Sequence, residues 1–201
     1  MRLFVALDLR DDVRRALGDL IARLKPLCAD ARWVWPEGMH VTLKFIGHAV
    51  ATGDVEKLDA VRAALATVRS DQAVEMNFRG VGFFPNASRP RVVWCGVQAS
   101  ENLALLAADI DEVLEPLGIP GEERPFLPHL TLARFKPARS GQSGRSHAAT
   151  GEALRSAVTE MAEKNFGAAR ETEFHLFESI TKPGGSEYRK LESYSFVKAR
   201  E

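Results

Sequence analysis

Two histidines in the sequence share a local pattern that suits phosphoryl chemistry: His40 in HVTLKF and His129 in HLTLARF. A strand sends successive side chains to opposite faces, so His40 and Thr42 point one way, and Val41, Leu43 and Phe45 are expected to point into a core. His129 and Thr131 share a face in the same manner, with Leu130 and Leu132 opposite. Each motif presents one imidazole and one hydroxyl from a core-anchored support. If the two converge on one cleft, they can hydrolyse a phosphodiester without a metal. A neutral imidazole takes a proton from water, and a protonated one gives a proton to the leaving oxygen. An ordinary imidazole pKa of about 6.5 lets both forms coexist near neutrality. The threonine hydroxyls can donate to the non-bridging oxygens, where charge accumulates in the transition state.

A histidine on a strand is more often structural, and threonine is at home in strands on propensity alone. By composition, roughly one histidine in 25 should have a threonine two positions on, given 8 threonines in 201 residues. Here two of the five histidines do, each within the same apolar pattern. His48, His147 and His175 lack the pattern and receive no role.

The elements that must hold these groups are readable from periodicity. Residues 2–9 alternate as a strand. Val13, Leu17, Leu20, Ile21 and Leu24 follow at helical spacing. A strand over 39–46 closes at Gly47. Residues 54–68 read as a helix with Val55, Leu58, Val61, Leu65 and Val68 on one stripe. Strands at 73–79 and 91–97 flank the loop GVGFFPNASRP. Leu103, Leu106, Ile110, Val113, Leu114 and Leu117 mark another helix, which Gly118 is placed to end. After the irregular, proline-containing segment 120–128 comes a strand over 129–135. A Gly/Ser/Ala-rich stretch at 138–150 reads as a mobile loop. A helix near 152–164 and strands near 171–180 and 187–198 complete the chain. The order strand, helix, strand, turn, strand recurs from His40 and from His129. That repeat predicts an α+β, bilobal fold over residues 1–201. It has two pseudo-symmetric lobes, each with an antiparallel sheet and helices outside, and an active-site cleft between them.

Composition narrows the partners. Apolar residues make up 45% of the chain, and Lys plus Arg balances Asp plus Glu at 27 each. A neutral protein is poorly suited to wrapping duplex nucleic acid, but it can hold a nucleotide or the end of an RNA strand in a local pocket. Cys28 and Cys95 lie far apart in no metal spacing, as expected of free thiols in a reducing cytoplasm. The opening MRLFVALDL is too short and too soon interrupted by Asp8 to read as a signal peptide, and no apolar run is long enough to span a bilayer. The expectation is a cytoplasmic monomer with no cofactor, no metal and no membrane partner.

The segments HVTLKFIG, HLTLARF, RLFVALDL, GVGFFP…RPRVVWCGV and the closing YRKLESYSF, taken together, resemble the two-histidine (2H) phosphoesterase superfamily. The branch they look most like is the RNA 2′,3′-cyclic phosphodiesterase (LigT-like) one, and the likeness covers nearly the whole chain. It implies hydrolysis of RNA 2′,3′-cyclic phosphate ends to 2′-phosphate ends without a metal, with His40 and His129 catalytic and Thr42 and Thr131 binding phosphate. The branch is also associated with 2′–5′ RNA ligation. The residues alone leave open which histidine is acid and which is base. The resemblance assigns protonation of the leaving 3′ oxygen to His40 and activation of water to His129.

Three further positions are candidates for substrate binding. Phe4 lies opposite the leucine and valine stripe of its strand, so it either faces the cleft, where it could stack on a base, or belongs to a strand buried on both faces. Lys44 shares the face of His40 by alternation and is either a charge near phosphate or a solvated strand end. Strict alternation aims Arg134 at the core, which is costly for an unpaired cation, so either the strand ends or bulges there or Arg134 passes the core edge. The resemblance places an Arg at this offset beside the substrate. Phe84, Pro85 and Trp94 read equally as cleft rim or as packing. The competing functions are another 2H activity on the same four residues and a non-catalytic RNA-end binding module. A metal hydrolase is disfavoured because no HExxH, clustered Asp or His–Cys spacing occurs.

Overall fold

The protein is described by a computed structural model over residues 1–28, 31–135, 151–182 and 185–196. Among the described residues nine strands and four α-helices follow one another as β1 (Leu3–Leu7), α1 (Asp11–Leu24), β2 (Ala31–Trp33), β3 (Val41–Gly47), α2 (Val55–Leu65), β4 (Val74–Phe84), β5 (Val92–Ala99), α3 (Asn102–Leu114), β6 (His129–Phe135), α4 (Glu152–Glu160), β7 (Asn165–Glu171), β8 (Glu173–Lys182) and β9 (Gly185–Ser195). They form two antiparallel sheets, of order β3-β1-β8-β9 and β2-β6-β5-β4-β7. The α+β, two-lobed reading holds. The stretch 138–150, read as a loop, lies outside the described residues. None of the helices among the described residues is long and apolar enough to cross a membrane.

Why the sheets stand together follows from their faces. In β1, Leu3, Val5 and Leu7 belong to the main core, with Val13, Leu17, Leu20, Ile21 and Leu24 of α1 and Leu103, Leu106, Ile110 and Leu114 of α3. Phe4 and Ala6 point to the other side, into a small separate cluster with Phe177 and Tyr188. β1 is therefore buried on both faces, with all five residues inaccessible. The helices cover one face of the sheets, and the other face is left to the site.

The sequence repeat is real, but its unit is not a lobe. The strands that follow His40 through α2, β4 and β5, join the sheet of His129, and the strands that follow His129 through α4 include β8 and β9, which join the sheet of His40. The matching order is β3-β1-β8-β9 against β6-β5-β4-β7, with β2 added beside β6. Each motif strand lies next to the strand that precedes it by one helix.

Several boundaries differ from expectation. The GVGFF segment is strand, not loop. Gly80 adopts a left-handed φ of 78°, and the register of β4 against β5 slips between Phe78 and Val81, so the strand bulges and continues to Phe84. Residues 165–170, between the predicted helix and the strand predicted from 171, pair with β4 as most of β7. α2 is shorter than read, capped by Asp54, whose carboxylate accepts from the Lys57 N–H at 3.0 Å, and Val55 at its start is exposed, not buried.

Candidate active site

The two motifs are built alike. His40 stands just before β3 and His129 opens β6. The Nδ1 of His40 lies 2.8 Å from the Gly38 carbonyl, and that of His129 lies 2.8 Å from the Leu127 carbonyl, two residues back in each case. A carbonyl can only accept, so Nδ1 carries the hydrogen and Nε2 is the nitrogen left for chemistry. Neither Nε2 has a hydrogen-bond partner among the described residues. Each imidazole meets an aromatic ring edge to face: Tyr188 at 5.0 Å and 86° for His40, Phe84 at 5.1 Å and 87° for His129. The sequence does not single out Tyr188 and Phe84 for these contacts, because each contact depends on pairing across strands distant in the chain.

The matched bulges decide what else reaches the site. In the β1–β3 ladder, Ala6 pairs with Thr42 but Val5 with Lys44, which leaves Leu43 as the extra residue. In the β5–β6 ladder, Trp94 pairs with Thr131 but Val93 with Ala133, which leaves Leu132 extra. Each bulge restarts the alternation, so the residue five places after each histidine returns to the histidine's face. That residue is Phe45 in the first motif and Arg134 in the second.

Lys44 is accordingly removed from the site. It is 5% exposed, and its Nζ bonds the Pro120 carbonyl and the Asp111 carboxylate, each at 2.5 Å. Neither a phosphate contact nor a solvated strand end describes it, because the bulge turns it toward α3. Phe45, expected in the core, is 55% exposed with its ring 6.4 Å from that of Phe4. Phe4 itself is 3% exposed and cannot offer a free face to a base: the His40 ring lies 4.6 Å away on one side and Phe177 stacks at 5.1 Å. It is the floor under His40. Arg134 is exposed on the face of the second motif, and its guanidinium reaches the Thr131 hydroxyl at 3.4 Å. Phe84 stacks on Trp94 at 5.1 Å. Trp94 lies flat because Gly82 opposite it has no side chain; a Cβ there would fall 2.3 Å from the indole.

A polar brace holds the turn before His40. Arg14 of α1 donates to the Pro36 carbonyl at 2.6 Å, and more distantly to that of Met39, and pairs with Asp8 at 2.6 Å. Asp8 also pairs with Lys190 at 2.9 Å. Burial raises the Asp8 carboxyl, but the bonds from Lys190 and the Leu9 N–H and the charges of Lys190 and Arg14 outweigh it, and the pKa is lowered. Gly38, whose carbonyl orients His40, is pressed by Tyr188 so closely that a Cβ would sit 3.1 Å from the ring.

The rings of Phe4, Phe177 and Tyr188 enclose that of His40. Burial against these rings pushes the pKa of His40 down to about 4; the Gly38 hydrogen bond and Asp8 oppose this, while the charges of Arg134 and Arg14 add to it. Arg134 belongs to the other motif, and β3 and β6 are in contact, so the two halves share one electrostatic environment. His175 lies on the same face of its sheet as Phe4 but is 6% exposed and bonded through Nδ1 to the Ser193 hydroxyl at 2.8 Å.

Two His-x-Thr strands on matched antiparallel sheets define a phosphoesterase of the two-histidine class. The chain matches the family model described as the 2′-5′ RNA ligase superfamily over residues 8–163, and it belongs to that family. It is 34% identical over 191 residues to the RNA 2′,3′-cyclic phosphodiesterase of Archaeoglobus fulgidus, covering 95% of this chain and 98% of that one. It is 31% identical to the protein of the same description from Methanothermobacter thermautotrophicus, covering 96% of this chain and 98% of that one. Among solved structures it resembles TT0787 of Thermus thermophilus, with 30% identity, a TM-score of 0.72 and 98% of each chain covered. It also resembles E. coli LigT complexed with 3′-AMP, with 25% identity, a TM-score of 0.72 and 98% of each chain covered.

Proposed function

We propose that this chain hydrolyses RNA 2′,3′-cyclic phosphate ends to 2′-phosphate ends by metal-independent acid/base catalysis between His40 and His129. The observation that carries this reading is the matched pair of imidazoles, each with Nδ1–H tied to a backbone carbonyl and Nε2 unpartnered among the described residues. The relatives' printed activity, RNA 2′,3′-cyclic phosphodiesterase, supports the substrate.

In the proposed reaction His129 Nε2 takes a proton from water as its oxygen attacks phosphorus. The bond from phosphorus to the 3′ oxygen breaks, and His40 Nε2–H gives that oxygen its proton. The phosphate stays on the 2′ oxygen. His129 ends protonated and His40 neutral, and exchange with solvent resets both. Thr42 and Thr131 donate to the non-bridging oxygens, and Arg134, bonded to the Thr131 hydroxyl, adds positive charge there. Phe45 offers the exposed aromatic face on which the terminal base stacks. Phe4 supports the His40 ring and does not stack on the base.

His40 is held neutral in the empty site, so its service as an acid depends on the substrate. A phosphate monoanion about 4 Å from the imidazole, at an effective dielectric of about 20, favours the imidazolium by roughly 4 kcal/mol, or about 3 pKa units. That offsets the burial and brings the His40 pKa back to about 7 when phosphate is bound. Substitution tests the assignment: His40→Ala and His129→Ala, each checked for folding by circular dichroism, should lower kcat at least 10³-fold on a cyclic-phosphate RNA end. A folded variant of either histidine with near-normal turnover would remove that residue from the mechanism.

A further inference from the structure

The two motifs are alike at their histidines, threonines, carbonyl tethers and bulges, but their surroundings differ on one side. β3 is the edge of its sheet, whereas β6 has a further neighbour, β2. In that added ladder Arg32 stands directly opposite Arg134. Directly paired residues of antiparallel strands point to the same face, with Cβ atoms about 5 Å apart. Arg134 reaches Thr131 on that face, so Arg32 faces the same side as Thr131 and His129. Both arginines are exposed. Neither forms an ion pair among the described residues.

Two like charges directly across a ladder destabilise it. The chain as a whole balances its charges, 27 against 27, so the pairing is not the by-product of a basic protein. No carboxylate among the described residues relieves it. An anion between the two guanidiniums would, since each can donate to one oxygen of the same phosphate. Arg134 shares β6 with Thr131, and Arg32 lies one strand outward on the edge strand β2, where a strand of nucleic acid can leave the site.

We propose that Arg32 and Arg134 form a subsite for the backbone phosphodiester on the 5′ side of the terminal nucleotide. The cleft therefore takes the end of an RNA strand in preference to a free cyclic mononucleotide. This rests on the phosphodiesterase reading above and adds to it the phosphate that a mononucleotide lacks. On the opposite lobe the position equivalent to Arg134 is Phe45, and no strand among the described residues supplies an equivalent of Arg32, so the RNA has one direction of entry.

The test compares kcat/KM for a nucleoside 2′,3′-cyclic phosphate with that for a short oligoribonucleotide ending in a 2′,3′-cyclic phosphate. A third substrate is the same oligonucleotide with a neutral methylphosphonate at the linkage preceding the terminal nucleotide. Wild-type protein should favour the charged oligonucleotide over the mononucleotide by about tenfold, and the methylphosphonate should remove most of that. In Arg32→Gln the ratio of oligonucleotide to mononucleotide should fall by about tenfold, and the methylphosphonate penalty should shrink to less than twofold. The slope of log(kcat/KM) against log salt should become shallower by about 0.7, the loss of one single-strand phosphate contact. An unchanged ratio in Arg32→Gln, or an equal methylphosphonate penalty in both proteins, overturns the subsite while leaving the phosphodiesterase reading intact. If wild-type protein turns over none of the cyclic substrates, the phosphodiesterase reading fails and takes the subsite with it.

Discussion

His40 should titrate near 4 in the empty cleft and near 7 once a phosphate group is bound. The first value follows from burial of the ring between Phe4, at 4.6 Å, and Tyr188, at 5.0 Å, with the charges of Arg134 and Arg14 adding to it. Displacement from the ordinary 6.5 to about 4 corresponds to roughly 3 kcal/mol against the imidazolium. A phosphate charge contributes roughly 4 kcal/mol in the other direction, so the ligand wins narrowly. The assay is a pH titration of the His40 Cε1–H signal by proton–carbon NMR, with and without a nucleoside 2′-monophosphate, assigned through His40→Asn. The shift also has a sign in stability. Between pH 6.5 and 4 the unfolded chain binds a proton at this residue that the folded chain does not. His40 therefore lowers stability progressively as pH falls through that window, by at most about 3 kcal/mol, with no further change below 4. Denaturant unfolding of wild type against His40→Asn should show that loss only in the wild type. A free-protein titration at or above 6.5, unmoved by the nucleotide, would refute the argument that burial holds His40 neutral and phosphate restores it.

Other perturbations separate the roles of the surrounding groups. Thr42→Ala and Thr131→Ala should each lower kcat by about 10²-fold, less than loss of either histidine, because each removes one hydrogen bond and not a proton carrier; steady-state kinetics decides it. Arg14→Met should lower kcat more than it raises KM and shift the pH dependence of kcat, since the guanidinium holds the turn that orients His40, with partial recovery in Arg14→Lys. Lys44→Met should lower unfolding free energy by about 3 kcal/mol in urea titrations while leaving kcat within about twofold, because it strands the partly buried Asp111 far from the phosphate.

The proposed catalytic quartet is legible in the sequence because His-x-Thr with apolar neighbours fixes a face by alternation alone. Alternation also misleads where the strands bulge. Leu43 and Leu132 each add one residue to their ladders, and nothing in a run such as TLKF distinguishes a bulge from a regular strand. Hence alternation puts Lys44 on the site and Phe45 off it. Arg134 gives warning, since an unpaired Arg aimed at a core implies a strand end, a bulge or a side chain that passes the core edge; Lys44 gives none, because Asp111, its partner, lies 67 positions away. The strand β7 carries the mixed sequence NFGAARE and forms because β4 offers it a partner, a tertiary cause with no local signature. The exchange of strands between lobes is likewise set by packing, and so Arg32, Tyr188 and Phe84 gain their places only once the sheets are assembled.

In the proposed reaction two imidazoles, with no metal, open a 2′,3′-cyclic phosphate at the end of RNA. Phosphorus NMR of a cyclic-phosphate oligoribonucleotide incubated with the protein in excess EDTA tests it most directly. Full turnover and a single 2′-phosphomonoester product are expected. Turnover abolished by EDTA and restored by a divalent ion would contradict the two-histidine mechanism, and a 3′-phosphate product would contradict the assignment of the leaving oxygen to His40.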